Sequence, residues 1–159
     1  DAGPLALDTQ IQVAENQRRL DTVMASAGGY VGLVSFMGSR FMKAEGQIKK
    51  LLETVKDRGL MFVIGGNRTR NDAAPIAADM AVVRAESEFY LDDTPSIQTI
   101  RTNLDRAVSL AKDREVILVM ARPYPVTISS ILDWVKTIPD TGIILVPASA
   151  VATVPTAPQ

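Results

Sequence analysis

The sequence predicts an α/β protein with a parallel sheet, because segments with apolar residues at helical spacing alternate with short, continuous apolar runs. The runs at residues 60–64 and 116–120 are wholly apolar, as is typical of strands buried on both faces of a sheet. Gly28, Gly29 and Gly59 stand between a helical segment and the next strand, where glycine commonly ends a helix. Strands joined through helices run parallel, so we expect a parallel sheet of alternating strands and helices.

The individual elements can be assigned in order along the chain. The spacing predicts helices over residues 7–25, 44–58, 72–80, 93–110 and 126–136. Strands are predicted at residues 30–35, 60–64, 116–120 and 143–146, with shorter extended pieces at 81–84 and 89–91. Asp8 or Thr9 is a candidate cap for the first helix, Asp72 for the third, and Asp93, which precedes Thr94-Pro95, for the fourth. Residues 151–159 are rich in Pro and Ala, which predicts a flexible tail.

Composition narrows the classes of function. With 47% hydrophobic residues, 22% charged residues and a net charge of -1, the chain is typical of a folded globular domain and not of a nucleic-acid binder. Its 159 residues suit one domain, over residues 1–150. No run of about 18 apolar residues occurs, so no membrane span is predicted. The chain begins at Asp1 without methionine, and we therefore expect a processed or truncated polypeptide.

Histidine and cysteine are both absent. Their absence excludes a thiol nucleophile, a Ser-His-Asp triad and an ordinary zinc or thiolate site built from this chain. Carboxylates, amides, hydroxyls and carbonyls remain as possible ligands. These residues alone therefore predict no resident metal and no cofactor.

Three loops that follow predicted strands are candidates for ligand binding, because ligands of parallel α/β proteins meet the carboxyl ends of the strands. The loops lie at residues 36–41, 65–70 and 121–125. Polar or aromatic residues at the ends of the strands are the candidate substrate-binding residues: Ser35, Phe36, Ser39, Arg40, Asn67, Asp92, Arg122 and Tyr124. Structural alternatives stay open for two of these residues, since Phe36 can cap the core and Asn67 can sit in a simple turn. Asp92 or Asp93 can also bind a cation as a hard oxygen ligand.

Five segments, taken in order, resemble one known family. They are residues 32–41, 58–62, 91–93, 122–125 and 142–150, and together they resemble the divergent polysaccharide deacetylases, bacterial envelope proteins related to NodB-like carbohydrate esterases. The resemblance runs from Asp1 to about Ala150 and implies part of a NodB-like (β/α) barrel, with strands missing before Asp1. It also implies a periplasmic or cell-envelope location and a role in carbohydrate metabolism.

Departures from the family pattern fall in the loops where its chemistry is expected. In the family the first segment usually reads Gly-Val-Asn-Asn-His-Met-Gly-Ser-Arg-Phe, with a His that is a candidate metal ligand, and Phe36 stands in its place here. A Gly-His-Pro-Tyr-Pro pattern is replaced by residues 121–125, where Arg122 takes the place of the His. An acidic loop is replaced by Gly65, Gly66 and Asn67. The resemblance therefore implies a degenerate metal site, with zinc or another divalent metal held only if ligands come from upstream of Asp1.

Three functions follow from the resemblance. The protein is expected to be a deacetylase-like glycan binder with a degenerate metal site, an active metal-dependent deacetylase that uses upstream ligands, or a non-catalytic module that binds a cell-wall protein. In the second case Ser39 and Arg40 would position the substrate. Exposed strand edges also predict pairing with an upstream segment of the same protein or a homo-oligomer.

Overall fold

The computed structural model describes residues 3–66 and 73–155. These residues form two compact units, the first from residues 3–65, 73–86 and 152–155, and the second from residue 66 and residues 87–151. Strand β3 (Arg84–Tyr90) gives its first three residues to the first unit and the remainder to the second. Each unit has its own hydrophobic core.

The first unit is a set of parallel strands joined through helices. Its elements are α1 (Val13–Ala25), β1 (Gly32–Val34), α2 (Glu45–Asp57), β2 (Met61–Ile64), α3 (Ala73–Asp79) and the start of β3, with a 3-10 helix, Phe41–Lys43, before α2. β1 pairs in parallel with β2, and β2 with β3. The parallel α/β prediction is therefore confirmed in this unit.

Helix α2 shows why the apolar pattern was informative. Ile48, Leu51, Leu52 and Val55 recur on one face of the helix, and all four are buried in the core of the first unit. Gly59, with a φ of 66°, follows the helix in the left-handed conformation that glycine adopts without strain. The prediction over residues 44–58 is confirmed to within one residue at each end.

Helix α1 begins at Val13, so the prediction of a helix from residue 7 is wrong for its first turns. The cause is Asn16, whose buried side chain donates to the carbonyl oxygen of Asp8 at 2.7 Å and accepts from the Asp8 N–H at 2.9 Å. These bonds hold the preceding segment in a non-helical path, and neither Asp8 nor Thr9 caps the helix.

The second unit repeats the strand and helix order. It contains the rest of β3, α4 (Ile97–Arg114), β4 (Leu118–Met120) and α5 (Pro125–Val135), with 3-10 helices at Ile138–Asp140 and Ala148–Val151. β3 pairs in parallel with β4, through Ser87 with Leu118 and Tyr90 with Met120. Its core is formed by residues of β3, of the loop after it and of α4: Phe89, Leu91, Ile100, Leu104 and Ala107.

The start of α4 corrects the prediction that Asp93 caps it. Ser96 is the cap, and its Oγ accepts a hydrogen bond from the Thr99 N–H at 3.1 Å. The Asp93 carboxylate lies instead 3.9 Å from the guanidinium of Arg122.

Strand β3 is longer than the two short pieces predicted at 81–84 and 89–91. Buried residues alternate along it with partly exposed ones, and the partly exposed positions include Arg84, Glu86 and Glu88. These charged residues interrupt the apolar run, so the segment has the period of a half-buried strand and not the continuous run of a fully buried one.

The predicted strand at residues 143–146 is wrong. The segment has no strand pairing in the second unit, and its apolar side chains are exposed, with Ile144 at 82% and Leu145 at 60%. β4 is the last strand in the sheet order, but residues 143–146 form no backbone pairing with its outer edge, so the apolar run alone does not make a strand.

Part of the predicted tail has a defined backbone position. Thr153 forms an antiparallel bridge with Arg84 in the first unit, with its N–H donating to the Arg84 carbonyl at 2.7 Å. Residues 156–159 and Asp72 lie outside the described residues. Within the described residues, no helix is long and apolar enough to cross a membrane.

Candidate functional site

Polar side chains of the second unit meet at the carboxyl ends of β3 and β4. Because these strands are parallel neighbours, the segments that follow Tyr90 and Met120 share one edge of the sheet. Asn103 on α4 donates from its side-chain amide to the Leu91 carbonyl at 2.9 Å and so fixes the path of the chain after β3. We call this group the strand-end cluster: Tyr90, Asp92, Arg122, Tyr124 and Thr127.

Asp92 is the centre of the strand-end cluster. Its side chain is fully buried, and its Oδ2 accepts hydrogen bonds from the Arg122 backbone N–H at 2.7 Å and from the Thr127 hydroxyl at 2.9 Å. Thr127 is also fully buried. A buried carboxylate is stable only when paired and hydrogen-bonded, and both conditions are met here. Asp92 thus ties the start of α5 to the end of β3.

Arg122 is held from two sides. Its Nη1 donates to the Asp92 backbone carbonyl at 2.9 Å and lies 3.4 Å from Oδ1 of the same residue. The guanidinium also stacks 4.6 Å from the centre of the Tyr90 ring, a cation–π contact. Only 26% of the side chain is exposed, so its remaining N–H donors are presented in one fixed orientation.

Tyr90 is a protonated hydroxyl at neutral pH. Burial raises the pKa of Tyr90 above its ordinary value of 10.0, the positive charge of Arg122 opposes that rise, and the nearby charges of Asp93 and Asp92 add to it. The group is therefore available as a hydrogen-bond donor over the physiological range.

Tyr124 forms the exposed margin of the strand-end cluster. It is 41% exposed, directly precedes α5, and accepts at its backbone carbonyl the first helical bond, from the Ile128 N–H at 2.9 Å. Pro125 follows at the first helical position, where its fixed φ suits the helix start. The phenol side chain is thus anchored by its backbone and open to a ligand.

The first unit carries its own candidate residues, in the loop after β1. The Ser35 hydroxyl accepts from the Gly65 N–H at 2.8 Å and so joins the ends of β1 and β2. Phe36 is 55% exposed, which contradicts the alternative that it caps the core. Ser39 and Arg40 are exposed on the same loop. A largely apolar cavity of about 300 Å³ lies beside this loop, lined also by the segment before α1.

The loop after β2 is described only through Gly66. In the second unit, the buried Ser87 hydroxyl donates to the Gly66 carbonyl at 2.8 Å and accepts from the Gly66 N–H at 3.0 Å. Gly66 has a φ of 117°, which glycine alone adopts readily. The candidate Asn67 lies outside the described residues.

A divalent metal does not fit the donor groups of the described residues. Among residues 3–66 and 73–155, no three Asp or Glu side chains lie close enough together to hold a metal ion. The Asp92 carboxylate is shared by a guanidinium, a backbone N–H and a buried hydroxyl, and a cation would have to displace these donors. What the strand-end cluster offers a ligand is a set of oriented hydrogen-bond donors beside two aromatic rings.

Two members of the strand-end cluster, Tyr90 and Thr127, were not among the predicted site residues. Tyr90 lies on a strand whose alternating pattern was read as two separate pieces, and the period of two across residues 84–90 was the signal that could have placed it. Thr127 lies two residues after Pro125, in the first turn of α5, where threonine commonly accepts or donates local bonds. Nothing in its spacing indicates that its partner is Asp92.

Parallel strands with intervening helices, and polar side chains at their carboxyl ends, define an α/β protein with a parallel sheet, which is consistent with a NodB-like fold. The chain belongs to the divergent polysaccharide deacetylase family, whose sequence profile matches residues 1–152. The resemblance found in the sequence is thereby confirmed.

One solved structure has a closely similar fold. It is the crystal structure of an uncharacterized protein from Agrobacterium tumefaciens C58, with a TM-score of 0.90 and 23% identity, and the match covers 94% of this chain and 61% of that one. This chain therefore spans about three fifths of the length of the A. tumefaciens protein, and at this identity the likeness concerns the fold. No curated protein gives a significant match.

Proposed function

We propose that this protein is a glycan-binding member of its family, located in the cell envelope or periplasm, with a degenerate metal site. The observation that carries the proposal is the fully buried Asp92, whose carboxylate orients Arg122 and Thr127. An acidic side chain used in this way positions binding residues instead of a metal.

The chemistry of the strand-end cluster suits a carbohydrate. Sugars present hydroxyl and amide groups that accept hydrogen bonds, and the fixed guanidinium of Arg122 and the phenols of Tyr90 and Tyr124 supply donors. The exposed ring of Tyr124 also gives an apolar face on which the C–H groups of a sugar ring can pack. The exposed Phe36 offers a similar face in the first unit.

Isothermal titration calorimetry with oligosaccharide fragments of peptidoglycan tests the proposal. We expect saturable heat with the wild-type protein and weaker binding, by about three- to tenfold, for Tyr124→Phe, which loses one hydroxyl and keeps the ring. An absence of heat with peptidoglycan fragments and with N-acetylglucosamine oligomers would leave the proposal without support and favour a module that binds a cell-wall protein.

Family membership favours a second candidate function, the metal-dependent removal of acetyl groups from a polysaccharide. Such activity requires ligands beyond those that the described residues assemble. Two measurements separate the enzyme from the glycan binder: release of acetate from N-acetylated oligosaccharides, and the stoichiometric metal content of the purified protein. Acetate release with bound metal supports the enzyme, whereas binding heat without acetate release supports the glycan binder.

A further inference from the structure

The groove between α4 and α5 has the chemistry of a second ligand site. It forms an open cavity of about 350 Å³ within the second unit, in the size range of small-molecule sites. Its lining combines one indole, one guanidinium, two carboxylates and three hydroxyls, among them Trp134, Arg101, Asp105 and Asp133. This mixture differs from the apolar seam that two packed helices commonly share.

One end of the groove lies at the amino end of α4. Ile97, the first residue of α4, lines it, and α5 starts at Pro125, directly after Tyr124. Both helices follow parallel strands, so their amino ends lie at the same edge of the sheet. From Ile97 to Asp105 the groove extends for roughly 12 Å along α4 at 1.5 Å per residue. That is a length suited to a chain of sugars and not to one ring.

The charged groups of the groove leave donors and acceptors available. Arg101 is exposed and forms neither a hydrogen bond nor an ion pair with any described residue. Asp133 pairs with Lys136 at 2.8 Å, and that pairing, with a smaller contribution from the charge of Arg101, lowers the pKa of Asp133. Asp133 is therefore ionised, and Arg101 lies within electrostatic range of it with its own donors free.

We propose that this groove is a second glycan subsite, in which a sugar ring packs on Trp134 while Arg101 and Asp105 bind its hydroxyl groups. Aromatic rings with a flat apolar face suit the C–H side of a sugar, and guanidinium and carboxylate groups suit its hydroxyls. The subsite rests on the proposed glycan-binding function and extends it from a single sugar to an oligosaccharide that reaches from the strand-end cluster into the groove.

Trp134 makes the subsite directly measurable, because it is the one tryptophan of the chain. Titration with a peptidoglycan-derived oligosaccharide should change its fluorescence emission saturably. Arg101→Ala should weaken that response by about tenfold, because a hydrogen bond to a charged group is lost. Arg101 is exposed, so the substitution should leave the circular dichroism spectrum unchanged. Arg114→Ala, on the same helix but outside this groove and outside the second cavity that Trp134 lines, is the matched control.

The outcomes separate this subsite from the proposed function. Binding heat without any change in Trp134 emission overturns the subsite and leaves the strand-end cluster as the glycan site. Trp134 also lines a largely apolar cavity formed with residues 142–146, so an emission change that survives Arg101→Ala unaltered likewise overturns the subsite. Absence of both heat and emission change overturns the glycan-binding function itself.

Discussion

Removal of the Asp92 carboxylate should destabilise the second unit far more than removal of an exposed carboxylate. Asp92 is fully buried and its Oδ2 accepts two hydrogen bonds, from the Arg122 backbone N–H and the Thr127 hydroxyl. Asp92→Ala leaves both donors without a partner, which costs about 1–3 kcal/mol of stability for each donor. The Arg122 guanidinium also loses its contact with the carboxylate. That guanidinium is partly exposed and can be hydrated, so we expect a total loss of about 3–5 kcal/mol.

Asp92→Asn removes the negative charge of the side chain and keeps its size and shape. The amide oxygen can still accept from the Thr127 hydroxyl and the Arg122 N–H, but each bond loses the contribution of the negative charge. We expect about 2 kcal/mol of destabilisation, because bonds to charged acceptors exceed neutral ones by roughly 1 kcal/mol each.

The assay is urea unfolding followed by Trp134 fluorescence, since Trp134 belongs to the same unit as Asp92. Asp133→Ala is the matched control, because its carboxylate is 70% exposed and its partner Lys136 is 74% exposed. The control should keep a midpoint close to that of the wild type. If Asp92→Ala shifts the midpoint no more than Asp133→Ala does, the assignment of Asp92 as the organiser of the strand-end cluster is refuted.

Three further predictions concern the fold and the cluster. Ser96→Ala should lower the free energy of unfolding by about 1 kcal/mol, whereas Asp93→Ala should change it by less than about 0.5 kcal/mol. Chemical denaturation that shows the reverse order would restore Asp93 as the cap. Gly32→Ala should destabilise the protein by about 2 kcal/mol, because a Cβ there would lie 2.5 Å from a β2 carbonyl oxygen. Gly28→Ala is the control, since a Cβ at that position meets open space, and equal melting temperatures of the two variants would contradict this prediction. Because burial raises the folded-state pKa of Tyr90 above 10.0, stability should be complete below pH 10 and fall as the pH rises above it, and Tyr90→Phe should reduce that fall in alkaline unfolding.

Elements whose apolar pattern agrees with their burial were predictable from the sequence. α2 and β2 were placed to within a residue or so, since Leu52 and Val55 follow the helical period and residues 61–64 form a continuous apolar run. The start of α1 and the whole of β3 were not predictable in this way. The buried Asn16 acts through its hydrogen bonds, and the charged residues of β3 mask its strand period.

Three of the five residues of the strand-end cluster were predictable from the sequence, and their contacts were not. Asp92, Arg122 and Tyr124 were all expected from their place after strands, and the structure brings them together in one unit. The choice of Thr127 as a partner of Asp92 depends on the path of the loop before α5, which no local pattern specifies. Ser35, Phe36, Ser39 and Arg40 were expected for the same reason, and they lie together in the other unit.

The central claim is that a glycan binds at the strand-end cluster through an Arg122 that Asp92 holds in place. Calorimetric titration of a peptidoglycan-derived oligosaccharide into the wild type, Arg122→Lys and Arg114→Lys tests it most directly. Arg114 is exposed and pairs with Glu88 in the same unit, so its variant controls for the general exchange of arginine for lysine. The account predicts affinity weakened about tenfold by Arg122→Lys alone, because lysine lacks the planar fork of donors. Equal affinity in all three proteins would contradict it.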